Sequence, residues 1–150
     1  MTTEANKDAV RRIYAALENG DRSVFGALMH QDCVWRFPSK ASWSRRFEGL
    51  ATIRAELFGP LFALFADKYT ARAINLIAEG DTVVAEIEGR VLTHAGGLYD
   101  NQYCMLFHFR DGMIVEVVEY CDTDLEERVL GPYPAALEAH RAAQARAASA

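Results

Sequence analysis

The sequence lacks several features that would assign it to a large functional class. It has no basic stripe and no run of Lys and Arg interleaved with aromatic residues, and its formal net charge is −5. We therefore expect no nucleic-acid partner. No apolar stretch approaches the length that spans a membrane, and the polar N-terminus is not followed by an apolar segment. These absences predict a cytoplasmic protein with no membrane partner.

Cysteine is scarce, and the motifs of common cofactor sites are missing. Cys33, Cys104 and Cys121 are odd in number and unrelated in spacing, which favours reduced core residues over a disulfide framework. The histidines show no metal-binding spacing, and no Cys-x-x-Cys occurs, so we expect no metal site. No nucleophile elbow, phosphate-binding glycine loop or dinucleotide fingerprint is present, and we therefore predict no cofactor.

Helical spacing of apolar residues marks the first half of the chain. Residues 3–18 form an amphipathic pattern that Asn19-Gly20 ends, and Asp21 can cap a second helix that extends to Met29. A short strand over 33–37 and an aromatic-rich loop over 39–49 follow. Residues 50–66 again show a helical period, in which Gly59-Pro60 should produce a kink or break.

The second half of the chain has the residue pattern of several strands separated by turns. Residues 69–78, 82–93, 98–109 and 114–122 are separated by Gly-containing turns typical of a β-meander. From Tyr133 onward the chain is Ala-rich and favours a solvated helix. Helices followed by such a meander predict one α+β domain over 1–150, with a core over about 5–130 and helices packed on a curved, mostly antiparallel sheet.

One carboxylate in the last strand stands out. Strand side chains alternate faces, so Glu119 shares an otherwise apolar face with Val115, Val117 and Cys121. A lone carboxylate there is costly unless it is used or paired. Two interpretations follow: Glu119 is a general base with a raised pKa, or it forms a buried ion pair with Arg90 or Arg36.

The lengths of two hairpin loops decide which polar residues face inward. A two- or four-residue loop around Ala95-Gly96-Gly97 would place Glu86, Glu88 and Arg90 inside, with the opposite apolar face covered by a partner subunit; a three-residue loop would place them outside. At Asp111-Gly112 a two-residue loop would point Glu119 outward. We favour a three-residue loop there, which points Glu119 inward. The inward face of the preceding strand is large and apolar and comprises Asn101, Tyr103, Met105, Phe107 and Phe109.

Short motifs in this order resemble the nuclear-transport-factor-2-like superfamily, within it the SnoaL-like and ketosteroid-isomerase-related branch. They are Asn19-Gly20-Asp21, Trp35-Arg36-Phe37-Pro38, Phe47-Glu48-Gly49, Tyr99-Asp100-Asn101-Gln102-Tyr103, and the segment from Asp111 to Asp122. The resemblance implies a cone-shaped α+β barrel around a pocket, in a dimer. We expect a homodimer that associates through the outer sheet face.

The resemblance transfers one catalytic position. Ketosteroid isomerases would place their base at Phe37 and their oxyanion acid at Met105, so that chemistry is disfavoured. The Asp-Arg-Asp set of limonene epoxide hydrolases would fall on Glu88, Glu86 and Glu119, with the arginine lost. The acidic base of SnoaL-like cyclases aligns with Glu119, although the partner histidine would fall on Met105.

We therefore predict a cofactor-independent isomerase, cyclase, dehydratase or epoxide hydrolase that acts on a small hydrophobic carbonyl, hydroxyl or epoxide compound. Glu119 would be the general base, with Glu88 tuning it and Tyr103 stabilising an oxyanion. The alternative is a non-catalytic ligand-binding or dimerisation module. The predicted substrate-binding residues are Tyr14, Trp35, Phe37, Asn101, Met105, Phe107 and Val117.

Overall fold

Helices form both ends of the chain in the computed structural model, which describes residues 2–150. Thr2 caps the first helix, because its side chain accepts a hydrogen bond from the Ala5 amide. A central helical segment changes type along its length, with a π-helical turn between two short α-helical pieces. The helices are α1 (Thr3–Leu17), α2 (Ser23–Leu28), α3 (Leu50–Thr52), the π-helical turn (Ile53–Phe58), α4 (Gly59–Ala63), α5 (Thr123–Leu130) and α6 (Tyr133–Ala148).

The strands form one curled, mixed sheet. They are β1 (Met29–Arg36), β2 (Arg46–Glu48), β3 (Thr70–Glu79), β4 (Thr82–Leu92), β5 (Leu98–Tyr99), β6 (Gln102–Arg110) and β7 (Met113–Cys121). Their order is β2-β1-β7-β6-β4-β3, with β5 pairing β4. The β1–β7 pair is parallel and the others are antiparallel. The sheet is a half-barrel, and α1, α2 and the central helical segment cover its concave face. The predicted α+β class is confirmed.

The turn before β5 fixes the orientation of β4. The Thr93 amide donates to the Gly97 carbonyl, which leaves the three residues His94, Ala95 and Gly96 in the loop. Ile87 consequently lies opposite Tyr103 and faces the interior, whereas Glu86 and Arg90 are exposed. With a two- or four-residue loop, a partner subunit would have covered the apolar face of β4. With the observed loop, that face lies inside this chain's own core.

The turn before β7 has two residues, so our preference for three was wrong. Asp111 and Gly112 both have positive φ, and Arg110 pairs with Met113 across them. A β-bulge then shifts the register, because Phe109 lies opposite Ile114 whereas His108 lies opposite Glu116. The extra residue returns Glu119 to the inner face opposite Met105. The inward orientation was therefore predicted correctly from a wrong loop length.

The observed helices correct three sequence predictions. Met29 begins β1 instead of ending α2, and Arg22 is the N-cap, although the Asp21 carboxylate still accepts from the Ser23 amide at 2.8 Å. At Gly59-Pro60 the helix changes from π to α without a break, and Pro60 lies in the first turn of α4, where its missing N–H matters little. Helix α5 was not predicted at all. None of the helices between residues 2 and 150 is long and apolar enough to span a membrane.

Candidate active site

A cavity of about 680 Å³ lies between the helices and the concave face of the sheet. Its volume exceeds the roughly 300 Å³ at which ligand pockets begin. Eleven of the residues that line it are aromatic, and four carry carboxyl or guanidinium groups. The ionisable residues are Glu119 and Glu126, and at the rim Arg22 and Arg54; the rings are Tyr14, Phe25, Trp35, Phe37, Trp43, Phe58, Phe62, Phe65, Tyr69, Tyr99 and Tyr103.

Glu119 projects from β7 into this cavity. Part of its surface is open to the cavity, while protein atoms crowd the rest of it. Within residues 2–150 it makes no salt bridge, because Arg36 instead pairs with Glu116 at 3.2 Å on the outer face and Arg90 is exposed. The structural ion pair proposed as the alternative role of Glu119 is therefore wrong.

A second carboxylate, which sequence reasoning missed, lies beside Glu119. Glu126 is only 3% exposed and comes from α5, whose N-terminus is capped when Asp122 accepts from the Leu125 amide at 3.1 Å. The Cys121 thiol donates to Glu126 Oε2 at 3.7 Å. Polar atoms of Glu119, Cys121 and Glu126 all lie within 4.8 Å of one another. The turn after β7 thus brings two carboxyl groups together.

Burial raises the pKa of both carboxyl groups, and the charge of Glu126 adds to the rise at Glu119. Burial, and secondarily the nearby Glu126 carboxylate, raise the pKa of Glu119 well above its ordinary value. Burial raises the pKa of Glu126 to about 7, and the Cys121 thiol partly opposes that rise. A carboxyl group with the pKa of Glu126 can gain and lose protons near neutral pH.

An indole N–H also lacks a partner at this wall. Trp35 is 5% exposed, and its Nε1 makes no hydrogen bond to residues 2–150. The indole also lowers the pKa of the Glu119 carboxyl, although the effect of burial is larger. Phe25 stacks on the Trp35 ring and Phe58 contacts its edge, so the ring is held in place. The N–H is available to an acceptor atom of a bound molecule.

Four tyrosines surround the carboxyl pair and remain protonated. Burial raises the pKa of Tyr14, Tyr69, Tyr99 and Tyr103, and the Glu119 carboxylate adds to the rise at each. At Tyr103 the Tyr69 hydroxyl adds further to this effect. Neutral phenols of this kind are hydrogen-bond donors at neutral pH.

Six of the ten predicted site residues line the cavity, and four do not. Tyr14, Trp35, Phe37, Tyr103, Met105 and Glu119 reach it. Glu88 does not, because it faces outward and pairs with Arg72 at 3.0 Å. The expected pair of Glu119 with Glu88 is therefore replaced by the pair with Glu126.

Asn101, Phe107 and Val117 lie behind the cavity wall. The Asn101 amide donates to the Tyr99 hydroxyl and the Asp122 carbonyl, and its oxygen accepts from the Gln102 and Asp122 amides. With those four bonds it has no capacity left for a ligand. Phe107 packs against Tyr14 and Phe25, and Val117 is fully buried. These three residues, predicted to bind substrate, support the wall instead.

The central helical segment contributes cavity residues that sequence reasoning did not single out. Leu57 and Phe58 of the π-helical turn line the cavity together with Leu61 and Phe62 of α4. The Arg22 guanidinium stacks on the Phe62 ring at 3.8 Å from its centre. A helical period with several aromatic positions was visible in the sequence and signalled this wall.

Among residues 2–150, one cluster has a spacing that would allow a metal ion, and it consists of Glu119, Cys121 and Glu126. Their environment suits protons better. Burial raises the pKa of the Cys121 thiol, which disfavours the thiolate that a metal would bind. The adjacent Trp35 N–H is a donor and cannot ligate a cation. We therefore treat the cluster as proton-binding groups.

Helices over a curled, cone-shaped sheet that encloses a cavity define the nuclear-transport-factor-2-like fold. The sequence profile of the SnoaL-like domain matches residues 10–117. The chain belongs to this SnoaL-like family, which includes polyketide cyclases and isomerases, and the predicted resemblance is confirmed. A comparison with proteins of curated function finds no match.

Solved structures share the fold at low identity. Bal32a, from a soil-derived mobile gene cassette, is 22% identical over 85% of this chain and 98% of its own, with a TM-score of 0.72. A candidate SnoaL-like polyketide cyclase from Jannaschia sp. CCS1 is 20% identical over 86% and 93%, with a TM-score of 0.70. TerC, co-crystallised with polyporic acid, is 21% identical over 84% and 98%, with a TM-score of 0.70.

Proposed function

We propose that this protein is a cofactor-independent acid–base enzyme that acts on a small, largely apolar molecule bearing a carbonyl group. The observation that carries the proposal is the position of Glu119, a carboxyl group with a raised pKa on the wall of a largely aromatic cavity of about 680 Å³. Family membership supports an enzymatic role. Isomerisation, cyclisation and dehydration all begin with the proton transfer that such a carboxyl performs.

In this proposal Glu119 removes a proton from a carbon next to the carbonyl. Its raised pKa makes it a stronger base than an exposed glutamate once it is ionised, and the aromatic wall keeps water from competing. The negative charge that develops on the carbonyl oxygen needs donors. Trp35 Nε1–H, which lacks a partner in residues 2–150, and the Tyr103 hydroxyl are the donors we assign.

Hydrogen–deuterium exchange tests this proposal without knowledge of the natural substrate. A panel of hydrophobic ketones, including 1-indanone, 2-tetralone and deoxybenzoin, is incubated with the protein in D₂O, and loss of the α-proton signal is followed by NMR. We expect exchange above the buffer rate for at least one ketone. Glu119→Gln should lower the excess by about 100-fold or more, since a positioned acid or base contributes that much.

Glu86→Gln is the matched control, because Glu86 is exposed on the outer face of β4. It should exchange at the wild-type rate. Exchange that Glu119→Gln leaves unchanged would contradict the proposed base. Binding of the ketones without any exchange, detected as shifts of the Trp35 indole signal, would instead favour the ligand-binding module.

A further inference from the structure

The two carboxyl groups of the cavity come from different elements. Glu119 lies at the end of β7, and Glu126 lies one helical turn into α5. Glu126 is tied in place through Cys121, which sits between the two residues in sequence and donates to Glu126 Oε2. Both carboxyl groups line the same cavity, so a bound molecule can contact both.

We propose that Glu126 is the second acid–base group of this site and holds one shared proton with Glu119. The inference rests on the proposed function and adds a residue to it. Two carboxylates whose oxygens lie within 4.8 Å of each other in an apolar wall cannot both ionise at ordinary cost. The pair therefore offers one acid and one base at the same time, as coupled groups that titrate in two steps do.

This arrangement favours a substrate that gains and loses a proton at two different atoms. In the form of the pair that carries the shared proton on Glu126, Glu119 takes a proton from the α-carbon as the C–H bond breaks and a C=C bond forms. Glu126 donates its proton to the carbonyl oxygen, so the C=O bond becomes C–O–H. The product is the enol, and transfer of one proton from Glu119 to Glu126 restores the starting state. Reprotonation at another carbon would give an isomer.

Other ionisable groups around the pair also shape its titration. Glu127, next to Glu126 on α5, raises the pKa of Glu126 further. Across the cavity stand neutral phenols, and the cationic side chains lie at the rim. The groups that face the pair are Cys121, Glu127, Tyr14, Tyr69, Tyr99, Tyr103, Arg22 and Arg54.

NMR titration of protein carrying ¹³C-labelled glutamate tests the pair independently of activity. In the wild type we expect two separated steps assigned to Glu119 and Glu126. In Glu126→Gln the pKa of Glu119 should fall, because the neighbouring charge is removed. Glu86→Gln, on the outer face, should leave both steps unchanged. A Glu119 titration that does not respond to Glu126→Gln would overturn the shared proton.

Exchange kinetics of the ketone panel separate the failure of this inference from the failure of the proposed function. Glu126→Gln should slow exchange by about tenfold or more and remove one limb of its pH profile. If Glu119→Gln abolishes exchange whereas Glu126→Gln retains its rate and pH profile, the proposed function stands and the role of Glu126 is overturned. If the titrations are coupled but no ketone exchanges in the wild type, the catalytic use of both is overturned.

Discussion

At the scale of single residues, Glu126 links the candidate site to stability. Its pKa in the folded state is about 7, above its ordinary value of 4.5, so the folded state binds the proton more tightly than the unfolded state does. Its stabilising contribution is complete below about pH 4.5 and is lost as the pH rises through about 7. The burial of this carboxyl group thus lowers the stability of the fold once the pH exceeds about 7.

Glu126→Gln should therefore increase the free energy of unfolding at pH 8 but not at pH 4.5. The expected gain is about 3 kcal/mol, since one pKa unit corresponds to about 1.4 kcal/mol. Urea unfolding at a series of pH values measures it. Glu86→Gln, in an exposed position, should give no pH-dependent difference. A constant difference across pH would contradict the raised pKa of Glu126.

Asn101 is the polar residue on which the end of β7 depends. Asn101→Ala removes four hydrogen bonds, which leaves the Gln102 and Asp122 amides without their acceptor and the Asp122 carbonyl without its side-chain donor. We expect a loss of about 3 kcal/mol or more in chemical unfolding, because each orphaned group costs about 1–3 kcal/mol. Asn75→Ala, at an exposed position on β3, is the control and should cost little. A similar loss in both variants would contradict this role.

At the scale of elements, the sequence predicted strand positions better than strand orientation. Alternation placed Tyr103, Met105 and Phe107 on the inner face correctly. The orientation of β4 depended on one residue of loop length, and alternation alone left both alternatives open. That of β7 depended on a bulge near Val115, for which the sequence carries no special residue.

The sequence of α5 contains the start and stop signals of a helix, although no helix was predicted there. Asp122 can cap a helix, Leu125, Val129 and Leu130 follow at helical spacing, and Gly131-Pro132 ends it. Once that helix is recognised, Glu126 falls on the turn next to the inward end of β7. The pairing of Glu126 with Glu119 still required the three-dimensional structure, because it depends on how α5 folds back over the sheet.

Gly89 on β4 leaves the space that a cavity tyrosine occupies. A Cβ at this position would lie 2.2 Å from the Tyr69 hydroxyl oxygen. Gly89→Ala should therefore displace Tyr69 from the wall and cost about 1–3 kcal/mol of stability, as overpacking does. A double-mutant cycle tests this, since in the Tyr69→Ala background the same substitution should cost almost nothing. Equal costs in both backgrounds would contradict the contact.

At the scale of the whole molecule, the outer face of the sheet carries a row of apolar residues. Ile77 pairs with Val84, Val84 with Leu106, and Leu106 with Val118, so the row crosses four strands. Ile77 is 61% exposed and Val84 and Leu106 are half-buried, whereas Val118 at the other end is already buried within the chain. The neighbouring row contains His108 and Glu116, which place polar side chains beside the apolar row. Such a patch is typical of a surface that another protein covers.

We propose that two copies of the chain associate through this row. In a two-fold dimer each residue near the axis meets its own copy, so an arginine placed there meets another arginine and loses apolar contact as well. Leu106→Arg should therefore convert the dimer to a monomer, which light scattering coupled to size-exclusion chromatography measures. The cavity lies on the opposite face of the sheet, so the variant should bind the ketones of the panel as the wild type does. Ala147→Arg, on the exposed face of α6, should leave the dimer intact. A dimer that survives Leu106→Arg would place the interface elsewhere. A wild-type protein that is monomeric at high concentration would contradict the dimer.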